Sequence, residues 1–273
     1  MNDVSRGAQH VVSRLMRESL MDKALIAGTE APVRAILPGL NVIQIGGMSI
    51  MDRGRAAVLP LLEEIVQNQE WHTQVIGVGP GVRARHILSV GLDLGLPTGA
   101  LATLAAKSAA QNAYMVSCLL ASHGFVYLEA PFIVQLLPAM LAAARGAVFN
   151  GIPPYDLWEH PPALGKIPPH GSDAGSYLVA EVFGARSLIL VKDVDGLYTA
   201  DPKTSPQAEF IPEIRAADLL SLGLATLPLE PAVLHLLLRA KLAKSLRIVN
   251  GLTPGTLTRA LAGEPVGTLI RVD

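Results

Sequence analysis

The apolar run Ser187-Leu-Ile-Leu-Val191, with the loop behind it, constrains this chain more than any other stretch. Such a run, bounded by polar residues, reads as a strand buried on both faces. From Val191 to Lys203 the chain then packs three acids, two lysines, one glycine and one proline into thirteen positions. A doubly buried strand belongs inside a parallel sheet, which delivers its following loop to the carboxyl edge where open α/β proteins take up ligands. Gly196 permits close backbone approach, Asp201-Pro202 predicts an extended exit, and Lys192 and Lys203 carry charge suited to phosphate. The segment reads as a nucleotide-binding loop rather than a plain solvated turn.

Elsewhere, apolar strands alternate with helical stretches. Strands are expected at 42–45, 73–78, 126–128, 147–149, 188–191, 247–249 and 268–271. Helices are expected at 54–67, 100–123, from 129 to about 145, 176–183, from 216, 230–243 and 256–262. This β-α-β alternation predicts an α/β fold: a three-layer α/β/α sandwich with a mainly parallel central sheet. Residues 1–34 read as an N-terminal arm with a short helix near 11–20, ahead of one domain over 35–273. Between 150 and 171, six prolines break the pattern. Ser172-Asp173-Ala174-Gly175 reads as the capping lead-in to the helix at 176–183.

Half of the residues are apolar and mean hydropathy is +0.39. Yet no apolar run reaches the ~20 residues of a membrane span, so no membrane role is expected and a subunit interface is the expected sink for the surplus. The stretch 115–121, which carries the lone Cys118, reads as a buried helix. One cysteine excludes an internal disulfide framework and suits a reducing, cytoplasmic setting. The acid-bearing N-terminus lacks the apolar core of a signal segment. A net charge of −1 without a basic stripe argues against nucleic acid as a partner.

Two further strand exits carry glycines: Ile45-Gly46-Gly47 and Gly79-Pro80-Gly81. Either alone is commonly just a tight turn; together with the Gly196 loop they offer the close backbone approach that a phosphate chain needs. There is no Gly-x-x-x-x-Gly-Lys-Ser/Thr and no Gly-x-Gly-x-x-Gly, which excludes a P-loop and a dinucleotide fingerprint. Arg83, Arg85 and His86 follow Gly81 and suit an oxyanion clamp.

These motifs, in this order, with Met51-Asp52-Arg53-Gly54, Gln111-Asn112, Ile152-Pro-Pro-Tyr155 and Val249-Asn-Gly-Leu-Thr-Pro-Gly255, resemble the amino acid kinase superfamily in its uridylate-kinase-like branch. Within that branch the chain is similar to subunits of the bacterial molybdenum storage proteins. The resemblance spans about residue 35 to the C-terminus. It implies a homo- or hetero-hexamer of homologous subunits, with ATP and Mg²⁺ bound at the carboxyl edge and molybdate or tungstate held as polynuclear oxide clusters. It implies nucleotide contacts from Gly46, Gly47, Gly79, Gly81, Arg83, Lys192, Asp193, Gly196, Tyr198, Asp201, Pro202 and Lys203.

One departure bears on the chemistry. Kinases of this superfamily place a lysine two residues before the Gly-Gly pair, and here that catalytic position is Gln44. An amide donates a hydrogen bond without charge, and losing one preorganised donor typically costs on the order of 10²–10³ in rate. Asp173 remains to orient catalytic groups or Mg²⁺. Candidate oxoanion ligands are Glu129, His160 and His170. Three functions stay open: an oxoanion-storage subunit, a nucleoside monophosphate kinase, or an ATP-binding subunit without catalysis.

Overall fold

Strand β1 (Leu40–Ile45) is buried at all six positions because both of its faces are covered. Leu40 and Val42 join one apolar core, Ile43 and Ile45 the other. The computed structural model describes residues 32–153, 159–162, 165–202, 204–224 and 226–273. Within 35–273, which forms one unit, the elements run α1 (Arg55–Asn68), β2 (Thr73–Val78), α2 (Val82–Asp93), α3 (Thr98–Leu120), β3 (Phe125–Tyr127), α4 (Ile133–Leu141) and β4 (Gly146–Phe149). There follow α5 (Ser172–Phe183), β5 (Ser187–Lys192), β6 (Leu197–Tyr198), β7 (Phe210–Ile211), β8 (Glu213–Arg215), α6 (Ala216–Leu222), α7 (Pro231–Leu237), β9 (Ser245–Asn250), α8 (Thr256–Leu261) and β10 (Thr268–Arg271).

The central sheet has the order β3-β4-β2-β1-β5-β9-β10-β8. Every neighbouring pair is parallel except β9 and β10. The expected mainly parallel α/β sheet is present. The chain leaves β1 toward β2 on one side and later returns to its other side as β5. The carboxyl end of β1 is therefore a topological switch point, where the loops diverge and a crevice opens. Strands β6 and β7 form a separate antiparallel ribbon.

At two of the helix boundaries that differ from expectation, a distant carboxylate decides. Helix α5 begins at Ser172, not Ser176, because Glu230 accepts hydrogen bonds from the N–H groups of Gly171, Asp173 and Ala174. Helix α7 ends at Leu237, well short of 243. Beyond it, Lys241, Leu242 and Ala243 turn their N–H groups onto the Glu181 carboxylate of α5. The helix expected from 129 to 145 is a 3₁₀ turn over Ala130–Phe132 followed by α4, which ends at Leu141.

Helix α3 is half-buried rather than buried. Ala113, Val116 and Leu120 face the core, whereas Tyr114, Met115, Cys118 and Leu119 are exposed. Among the described residues no helix is long and apolar enough to cross a membrane. The arm expected over 1–34, with its helix near 11–20, lies outside the described residues except for 32–34.

Candidate functional site

The crevice above β1 has walls that only glycine can form. A Cβ on Gly47 would lie 2.8 Å from both the Gly79 carbonyl carbon and Gly81 Cα, so the first two strand exits touch backbone to backbone. Gly46 is pinned by its N–H donating to the Val191 carbonyl at 3.0 Å, which ties the β1 exit to the β5 exit. Gly81 sits at φ +74°, where other residues are strained. Its neighbour Val82 donates its N–H to Asp52 Oδ2 at 2.6 Å, so Asp52 caps α2 from across the crevice.

Around these turns lies an open cleft of about 500 Å³, lined among others by Gly46, Gly47, Gly81, Arg85, Asp173, Lys192, Asp193 and Glu230. Lys192 Nζ stands 2.8 Å from each oxygen of Asp173. Both Asp173 oxygens face that ammonium, so Asp173 positions the lysine. Asp193 is held by Arg53 at 2.5 Å.

Glu230, in the turn before α7, is the residue that sequence reasoning missed. Its Oε2 accepts from Gly171 N at 2.8 Å and Ala174 N at 3.1 Å, and its Oε1 from Asp173 N at 3.1 Å. It thereby satisfies the amide groups that open α5, where the helix dipole favours negative charge. Burial, and then the neighbouring Asp173 charge, push its carboxyl up to about 7, against the opposing pull of those N–H groups and of Lys192.

The second half of the charged loop lines a hollow of about 250 Å³ with Asp193, Gly196, Tyr198, Asp201 and Pro202, closed by Leu227 and Pro228. Gly196, at φ +150°, lets the loop lie on β10, since a Cβ there would sit 2.9 Å from Thr268 N. Thr268 Oγ1 in turn receives the Leu197 N–H at 2.8 Å. Tyr198 packs edge-on to Phe210, and burial, followed by Asp195, raises its phenol above the ordinary value. The exit after Asp201 is a turn and not an extended segment, because its carbonyl accepts from Thr204 N and Ser205 N. Lys203 lies outside the described residues.

Other expected residues sit elsewhere. Gln44 is fully buried below the cleft. Its Oε1 accepts from Ser176 Oγ at 2.5 Å and its Nε2 donates to the Ile45 carbonyl at 3.0 Å. Arg83 donates to Asn112, which holds the Gly79 carbonyl, while Arg85 lines the cleft. His170 reaches the cleft wall, paired with Glu159 at 2.6 Å. Glu129 is exposed beyond β3 at the far edge of the sheet, and His160 is also exposed, so the three candidate oxoanion ligands do not converge. Among the described residues no group of three or more His, Cys, Asp or Glu side chains could hold a metal ion.

This sheet order with its glycine-walled cleft defines an amino-acid-kinase-type α/β domain. Residues 39–250 match the model of the amino acid kinase family, and the chain belongs to that family. It is 50% identical over 257 residues, covering 94% of this chain and 95% of that protein, to the molybdenum storage protein subunit beta of Azotobacter vinelandii. The uridylate kinase of Hyperthermus butylicus is 30% identical over 205 residues, covering 72% of this chain and 81% of that protein. In fold, the UMP kinase of Bacillus anthracis superposes with a TM-score of 0.67 at 18% identity, over 86% of this chain and 97% of that one.

Proposed function

We propose that this chain is an ATP-binding subunit of a cytoplasmic molybdenum- or tungsten-storage oligomer, one that holds molybdate or tungstate as oxide clusters. The observation that carries the reading is the 50% identity to a storage-protein subunit along nearly the whole of both chains. The cleft supports its nucleotide half. Glycine walls admit phosphates closely, Lys192 and Arg85 bring positive charge to them, and the Tyr198 hollow beside them suits base and ribose. The described residues offer Mg²⁺ no cage of their own, so the ion would enter on the nucleotide's phosphates, as is usual for Mg²⁺.

Assembly is supported by apolar side chains left exposed on α2 and α3, among them Ile87, Val90, Tyr114, Met115 and Leu119, with Leu94 just after α2. Homologous subunits, as a homo- or hetero-hexamer, are the proposed partners. The test is to purify the full chain from cells supplied with molybdate or tungstate, add MgATP, and count metal per chain. Many metal atoms per chain are expected; one or fewer overturns the storage reading.

The relation to uridylate kinases favours a second reading, phosphoryl transfer to UMP. Gln44 opposes it, since the position expected to carry the lysine holds a neutral amide, closed off by Ser176. A coupled assay with ATP and UMP is expected to show no turnover above background, and turnover at ordinary kinase rates overturns that expectation.

A further inference from the structure

Glu230 sets a carboxylate where an anionic ligand of this cleft needs positive potential. Its oxygens take the three N–H groups at the opening of α5, 2.8 to 3.1 Å away, inside the same cleft that Lys192 and the glycine turns line. Its own N–H donates to Asp173 Oδ2 at 3.3 Å, which fixes the two carboxylates side by side. The facing titratable groups are Asp173 on α5 and Lys192 at the end of β5, with Asp193, Arg85 and the His170–Glu159 pair on the other walls. His235 of α7 lies in the separate hollow behind. With Asp173 matched to Lys192, and Asp193 to Arg53, Glu230 is the carboxylate in this group whose hydrogen-bond partners are all backbone N–H groups.

We propose that Glu230 is the residue that couples the cleft to protons: a polyanionic ligand enters with uptake of one proton from solvent onto the Glu230 carboxyl. Protonation removes one negative charge beside the ligand. It also converts one carboxyl oxygen from acceptor to donor, which releases a backbone N–H at the start of α5 toward the anion. The carboxyl is poised for this, since burial and Asp173 already hold it near 7. The inference rests on the nucleotide reading of the cleft.

The test is calorimetric titration of the full chain with MgATP, whose phosphates stay ionised over the range used, in buffers of different ionisation enthalpy. At pH 8 the wild type is expected to take up about half a proton or more per nucleotide, and its affinity to weaken up to about tenfold per pH unit above 7. Glu230→Gln is expected to bind with no uptake and a flat pH profile. Binding by both proteins with equal proton counts overturns this inference alone, whereas no binding by either overturns the nucleotide reading and this inference with it. Should Glu230→Gln fail to fold, the infrared difference spectrum of the wild type decides: MgATP is expected to bring up the carbonyl band of a protonated carboxyl, and its absence overturns the proposal.

Discussion

Lys192 Nζ lies 2.8 Å from both carboxylate oxygens of Asp173, with 13% and 3% of the two side chains exposed. A lysine at the end of β5 and an aspartate in the first turn of α5 thus form one buried unit joining sheet to helix. Removing one member of such a pair leaves the other charge uncompensated, which costs far more than the pair itself contributes. Lys192→Met is therefore expected to lower stability by about 3–5 kcal/mol in urea denaturation and to abolish MgATP binding. A loss below about 1 kcal/mol would mean that water screens the pair.

The backbone contact between the first two strand exits predicts a steep cost for one methyl group. Gly47→Ala must push apart Gly79 and Gly81, which are backbone and cannot rotate away. A loss of about 3 kcal/mol is expected by thermal or urea unfolding. Gly223→Ala is the control: in the left-handed conformation at φ +56° with no atom within 4 Å of its Cβ, it bears only the left-handed backbone penalty of about 1–2 kcal/mol. Equal losses for the two would show that the strand exits do not touch.

Restoring the superfamily's lysine is expected to harm the fold. Gln44→Lys places an ammonium at a site with no exposure, against the Ser176 hydroxyl that meets the Gln44 amide. Burial lowers a lysine's pKa in the folded state, so the cost is largest near pH 7 and shrinks as pH rises and the amine deprotonates. Urea unfolding of the variant beside the wild type, from pH 7 to 10, checks this. A stability gap that widens with pH contradicts it.

Glu230 makes stability itself depend on pH. Its carboxyl rises from 4.5 in the unfolded chain to about 7 in the folded one, so between those values the folded state holds more protons. Its contribution to stability therefore falls as pH climbs from 4.5 to 7 and levels off above, by at most about 3 kcal/mol. Glu230→Gln is expected to flatten that part of the wild-type profile, read as Tm against pH in the absence of ligand. A profile that falls by the same amount in both proteins across this window would remove Glu230 as its source.

The strands were legible because a doubly covered sheet demands uninterrupted apolar runs: 73–78 and 268–271 are read to the residue, and β1 to within two. The glycine turns were legible for a similar reason, since no other residue fits backbone against backbone at Gly47. Helix ends were not. Where α5 starts and α7 stops depends on Glu230 and Glu181, whose partners lie 56 to 62 residues away along the chain. Arg83 and Arg85 differ by two positions on one helix, and only the fold shows that the first is taken by Asn112 while the second faces the cleft. Glu230 carried a weak signal, an acid directly before Pro231 at a helix start. Such a residue normally caps its own helix, whereas this one caps another.

The walls of the cleft are made at widely separated moments of synthesis. A growing chain has both glycine turns once it passes Gly81, lacks Lys192 until more than a hundred residues later, and lacks Glu230 for longer still. Until residue 230 is made, the amides that open α5 lack the carboxylate that satisfies them in the finished chain. A chain ending just before residue 230 therefore carries both glycine turns and the lysine but not the finished cleft.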